Sequence, residues 1–137
     1  MATIIDLDRA RRRRSARRGG AVFAYDLASP ESYAAADDVD PTVGWRPAIA
    51  PDQEKGRIAA RVALRAHERG LGKPFALAAL RLVHRWEQPV DSLETLAQAA
   101  GVAGLRLDDV LDAAYDPRRD DDLTIAVAEP QRLRRAR

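Results

Sequence analysis

The chain has no cysteine among its 137 residues. A disulfide framework, a thiolate zinc site and a Cys-X-X-Cys redox couple are therefore excluded for this sequence. Aromatic residues are scarce, at 5%, so no core can be built mainly from large rings. The 46% hydrophobic content comes chiefly from Ala, Leu and Val, which favours close-packed helices over a large sheet. Long apolar runs are missing as well. No stretch is long enough to cross a bilayer, and residues 1–20 hold no apolar segment of the export kind. The expectation is a cytoplasmic protein without membrane contact. Lysine is almost absent, 2 against 21 Arg, a bias that fits a GC-rich genome better than phosphate chemistry.

What is present is a segregation of charge. Residues 1–20 carry seven Arg against Asp6 and Asp8, a net +5. Residues 130–137 carry Arg132, Arg134, Arg135 and Arg137, a net +4. The whole chain is +2, so the intervening residues 21–129 hold −7. The pI of about 9.4 therefore reflects the two ends and does not report a basic globular face. The length suits one domain with a modest core. The expected division is a flexible basic arm over 1–20, one domain over 21–129 and a basic tail over 130–137.

Along that domain, Ala21-Val-Phe-Ala-Tyr-Asp-Leu-Ala28 alternates as a strand does, with Phe23, Tyr25 and Leu27 on one side. Ser29 suits a helix N-cap and Pro30 the first helical position. The short helix that follows should run to about Val39, where Asp40-Pro41 breaks it. Val43–Ile49 reads as a second strand, with Pro47 placing it at a sheet edge. Four helices are expected over about 52–115. The first is capped by Asp52 and stops at Gly70, and the second spans Pro74–Trp86. The third opens with an Asp91/Glu94 capping box and ends at Gly101. The fourth spans Leu107–Tyr115 with Asp108 as cap. Residues 120–128 suit either strand or helix, with helix the better fit. Two strands alone are too few for a stable open sheet, so helices must cover them or another chain must supply strands.

The chemistry-bearing feature is Ser29-Pro30-Glu31-Ser32, where a strand runs straight into a helix. Such a junction offers free N–H groups and the positive end of the helix dipole. Ser29 either caps that helix or steadies a thiolate or anion there, and both readings stay open. Asp26 and Glu31 are a candidate acid/base pair, with solvated carboxylates as the plainer alternative. His67 and His84 fall on different helices with no third ligand in view, so no metal site is expected. The Arg run at 9–18 suits a solvated arm or phosphate contact by counterion release, and no aromatic interleaves with it for base stacking. Leu93–Tyr115 has the outline of a helix-turn-helix, but Asp108, Asp109 and Asp112 on its second helix would repel phosphates.

Phe23-Ala-Tyr-Asp-Leu-Ala-Ser-Pro-Glu-Ser-Tyr33 resembles the opening strand and active-site turn of a DsbA-like branch of the thioredoxin fold. That branch includes the hydroxychromene-carboxylate isomerases and kappa-class glutathione transferases. Trp45-Arg46-Pro47 resembles its second strand, and the four helices resemble the helical insertion it carries inside the thioredoxin core. The resemblance covers about 21–128 and implies a mostly helical α/β, partly thioredoxin-like fold with a helical insertion. It implies that Ser29 holds the sulfur of glutathione or mycothiol, with Pro30, Ser32, Tyr33 and Trp45 around it and a thiol-dependent isomerase- or transferase-like activity. Trp45 is equally suited to the core. Ser occupies both positions where redox members have Cys, so disulfide exchange is not expected. The family's cis-Pro loop, hairpin and last helix have no counterpart after the helical block, and Glu31 stands where the family has Tyr. A reduced member is expected, whether this is a whole gene product or a piece. A second expectation is a non-enzymatic interaction protein that completes its sheet with a second copy or another subunit. A third is nucleic-acid association through the Arg-rich ends.

Overall fold

Two short parallel strands open the fold: β1 (Val22–Tyr25) and β2 (Gly44–Pro47), paired from Val22–Gly44 through Tyr25–Pro47. The structure is a computed structural model that describes residues 21–123. The expected arm at 1–20, the stretch 124–128 and the tail at 130–137 lie outside the described residues. Parallel strands cannot be joined by a tight turn, and α1 (Pro30–Ala36) makes the crossover. Phe23 and Tyr25 are buried while Val22 and Ala24 are half-buried, the alternation that the sequence predicts.

Both strands are shorter than the expected Ala21–Ala28 and Val43–Ile49, and for β1 the reason is local. The Asp26 N–H turns away to the Ser32 Oγ at 3.0 Å, and the Ala28 N–H donates to the Asp26 carboxylate at 2.9 Å. These bonds curl the chain out of the sheet and into α1.

Four helices follow: α2 (Arg57–Glu68), α3 (Gly72–Leu80), α4 (Leu93–Ala103) and α5 (Leu107–Ala114). A π turn over Arg81–Arg85 prolongs α3 to Trp86. Glu87, with φ of 56°, then ends it before Pro89 is reached. A 3-10 turn, Pro117–Arg119, leads into residues 120–123, which are helical. The fold is mixed α/β and mostly helical, with a two-stranded sheet. No described helix is long and apolar enough to cross a membrane.

The caps differ from the expected ones. Asp52 caps nothing, because α2 begins five residues later behind Gly56. Asp91 does not open α4; Ser92 does, accepting the Glu94 N–H at 3.2 Å. Asp91 instead reaches back and accepts the N–H groups of Gly56 at 2.8 Å and Ala59 at 3.0 Å. A carboxylate from 32 residues downstream thus satisfies the start of α2 and sits at its positive end. Gly104, in left-handed conformation, ends α4 in place of Gly101. Arg106 precedes α5 in the N-cap position, and Asp108 lies inside the helix.

Gly56 has φ of 90°, and a Cβ there would meet the Ala28 Cβ at 3.0 Å and an Asp26 oxygen at 3.1 Å. Both the backbone angle and the close approach require glycine.

The core follows from the alanine-rich composition. Ala59, Val62, Ala63 and Ala66 of α2 pack with Phe75, Ala79, Leu80, Leu96, Ala99, Val110 and the strand aromatics. Small side chains bring the helix backbones close together. The opposite side of α2 buries Ala60 and Leu64 with Ile49 and Leu123 in a second cluster. Phe75, Leu80 and Leu96 are fully buried, each contributing about 1.5–3 kcal/mol of burial energy.

Candidate functional site

The β1–α1 corner gathers most of the residues that the sequence singles out. Ser29 is half-buried with extended backbone, and its Oγ accepts the Ser32 N–H at 3.3 Å. That hydroxyl donates its one proton to Glu31 Oε1 at 3.0 Å. Pro30 fills the first turn of α1 and is exposed. Asp26 accepts Ala28 N–H with one oxygen and the Gln53 side-chain amide with the other, at 2.8 Å. Asp26 and Glu31 therefore serve separate hydrogen bonds.

Tyr33 lies stacked on His84, ring centres 5.6 Å apart at 25°. The His84 Nε2 is 2.9 Å from the Leu27 carbonyl oxygen, a contact that requires the proton on that nitrogen. His84 comes from the π turn at the end of α3, so only the tertiary fold brings it against Leu27 and Tyr33. Its sequence neighbours carry no signal of this.

Trp45 stands apart from the corner. It is buried in the core, its ring 4.8 Å from that of Phe23 and 5.6 Å from that of Tyr25. The indole Nε1 and the Tyr25 hydroxyl have no hydrogen-bond partner among the described residues. Burial pushes the Tyr25 hydroxyl well above its ordinary pKa, so it stays neutral.

The corner is thus closed on itself. A ligand thiolate at Ser29 would compete with Glu31 for the hydroxyl proton and would meet a carboxylate at the same helix end.

A second region has the opposite character. On α5, Leu107 and Leu111 are 56% and 46% exposed, and Tyr115, just past its end, is 62% exposed. They recur every four residues and so form one ridge. Val102, near the end of α4, is also exposed. Asp108 and Asp112 form the next stripe around α5, both exposed. Asp108 meets Arg106 only at 3.5 Å, and Asp112 makes no hydrogen bond or ion pair among the described residues.

An open groove of about 610 Å³ runs between the end of α2 and α5, lined by Arg65, Arg69, Asp108, Asp109 and Asp112. A further hollow of about 500 Å³ shares Arg65 and Asp112 with it and extends past Tyr115 to Arg118 and Arg119.

Four Arg around this groove are already committed, and a fifth, the exposed Arg106, meets Asp108 only at 3.5 Å. Arg65 and Arg69 bind one oxygen of Asp109 at 2.8 Å and 3.0 Å. The Arg69 hydrogen bond, then that of Arg65, holds the Asp109 carboxyl below its usual range. Asp109 is therefore buried and paired, not part of the outward acidic face that the helix-turn-helix outline suggests. Arg119 binds both oxygens of Glu68 at 2.9 Å, and Arg118 binds Asp116. Asp120 holds Arg57 and Arg61 at 2.9 Å and 2.8 Å, fixing the 3-10 turn against α2. The loosely held charge is left to the Arg106–Asp108 pair and to Asp112, beside an apolar ridge. The sequence carries the spacing of Leu107, Leu111 and Tyr115. Periodicity does not tell which helix face turns outward.

No group of three or more His, Cys, Asp or Glu able to hold a metal occurs among the described residues. No family model, curated protein or solved structure matches this chain.

Proposed function

We propose that the chain is a non-enzymatic interaction protein whose docking face is the outer side of α5. The observation that carries this reading is the Leu107–Leu111–Tyr115 ridge, exposed and flanked by the weakly paired Asp108 and by Asp112, which has no partner among the described residues. An apolar stripe bordered by carboxylates fits a segment that offers apolar and basic side chains together. Pairing with the α5 of a second copy is disfavoured. A two-fold antiparallel pairing would set the Asp108–Asp112 stripe against its own copy, a like-charge contact. The setting taken for this reading is the cytoplasm. The test is titration of an amphipathic Leu/Arg peptide into the full chain, followed by amide NMR. Shifts confined to residues 102–118 and lost in Leu111→Ser support the reading; no shift at millimolar peptide on an otherwise unoccupied α5 face overturns it.

Two other readings each have one observation in their favour. The parallel β1–α1–β2 crossover begins at Ser29, where the thioredoxin-like, DsbA-type resemblance puts its sulfur-holding residue. A reduced thiol-binding protein would show heat and amide shifts at Ser29, Ser32 and Tyr33 on titration with glutathione or mycothiol. Their absence at millimolar thiol would remove this option. The two-stranded sheet leaves both outer strand edges without a described strand partner, which fits sheet completion by a second copy. Sedimentation as a stable monomer would rule that out.

A further inference from the structure

We propose that the α5 groove is occupied by the Arg-rich arm of the same chain, Arg9–Arg18 preceded by Ile4, Ile5 and Leu7. This rests on the docking reading above and names the resident occupant.

Three observations support it. The first is complementarity. The arm segment carries +5 and residues 21–129 carry −7. Within the groove, Arg65, Arg69, Arg118 and Arg119 are spent on Asp109, Asp116 and Glu68. Arg106, also in the lining, leans on one oxygen of Asp108 at 3.5 Å. What remains to face an incoming guanidinium is Asp112, which has no partner among the described residues, and the second oxygen of Asp108 one helical turn away, with the exposed Tyr115 ring at the end of the row. Carboxylates and an aromatic face are the two surfaces that Arg recognises.

The second is apolar content. Ile4, Ile5 and Leu7 lie in the same segment as the Arg run and match the exposed Leu107, Leu111 and Val102. A purely basic arm would leave that ridge wet.

The third is reach. Arg18 lies three residues before Ala21 and Arg9 twelve before it. Twelve extended residues span about 40 Å, against a radius of gyration of about 13 Å for a body of this size. The arm can therefore reach any face of its own domain. The tether also gives an effective concentration in the millimolar range, which favours the arm of the same chain over that of a second copy.

The consequence is regulatory: an outside partner for α5 must displace the arm, and anionic surfaces that bind the arm would free the groove.

The absence of cysteine makes the test direct. In the full chain, Ser15→Cys carries a single nitroxide label, and amide NMR reads which signals it broadens. Broadening of Leu107–Tyr115, relieved by molar salt that screens the contact and lost in Asp108→Lys/Asp112→Lys, supports the proposal. Unbroadened α5 signals overturn it. So does broadening that appears only when an unlabelled-isotope nitroxide chain is mixed with an isotope-labelled chain, because the arm then docks on a second copy. Broadening of α5 only from a label at Ala136→Cys assigns the groove to the C-terminal tail and likewise overturns it. If the charge-reversal pair does not fold, the salt titration on the Ser15→Cys chain carries the same decision. Should the label leave α5 untouched while the Leu/Arg peptide still shifts it, only the occupant is wrong. Should both fail, the docking reading falls too.

Discussion

At the β1–α1 corner, Ser29, Ser32, Asp26 and Glu31 all find hydrogen-bond partners within a few residues or in Gln53. On the outer face of α5, Leu107, Leu111 and Tyr115 stand about half or more exposed, and Asp112 finds no hydrogen bond or ion pair among the described residues. The corner has the residue types usually associated with chemistry, and the α5 face has those usually associated with packing. Their environments reverse that expectation. A hydroxyl whose proton is already given to Glu31 is stabilising the helix start. An apolar ridge left in water is available for burial against something else. Partnering, more than residue type, separates a structural joint from a functional surface here.

The comparison can be broken at several points. The largest effect is expected at Gly56, which joins the corner to α2 and Asp91. Gly56→Ala forces a side chain into left-handed backbone and against Ala28 and Asp26. The expected loss is about 3 kcal/mol, read as the urea midpoint; an unchanged midpoint would show that the joint is loose.

The next is acid sensitivity. Hydrogen bonding to Arg61, and then to Arg57, holds the Asp120 carboxyl below its usual range. The folded protein therefore keeps this group ionised where the unfolded chain, near about pH 3.9, takes up a proton. The stability it supplies is full above that pH and is lost as pH falls through the lower folded value. Asp120→Asn should flatten that part of the stability–pH curve. An unaltered curve would show that the latch to α2 contributes nothing.

Ser29→Ala should cost about 1 kcal/mol, the ordinary worth of an N-cap, and is checked by thermal unfolding. A loss of only a few tenths, together with abolished glutathione binding, would turn the corner back into a site.

The smallest stability effect is expected for Leu111→Ser, within about 0.5 kcal/mol because that side chain is already half in water. The same change should abolish Leu/Arg peptide binding. A large loss of stability instead would show that the ridge supports the fold.

Much of this architecture is legible in the sequence, where local rules apply. The alternation of Phe23, Tyr25 and Leu27, the Ser29-Pro30 helix start and the helical periodicity of residues 57–114 all depend on near neighbours. The errors share one cause. Asp52, Asp91 and Asp108 are all placed where an acidic cap would go, yet only Asp91 caps a helix, and it caps a different one, 32 residues upstream. Asp109 looks like surface charge and is buried between Arg65 and Arg69. A side chain's partner across the fold leaves no periodic trace in the chain.

The sequence by itself determined the absence of cysteine chemistry, the alanine-rich helical core, the strand-to-helix turn at Ser29 and the opposed charges of the ends and the middle. These depend on composition and on contacts a few residues apart. Only the tertiary structure decided that the Ser29 hydroxyl donates to Glu31 and accepts from Ser32 within its own turn, that His84 reaches Leu27 and Tyr33 there, and that α5 turns Leu107, Leu111 and Tyr115 to solvent. Which groups lie beside a side chain is set by the packing of distant segments, and that packing decides whether the side chain is spent or free to bind.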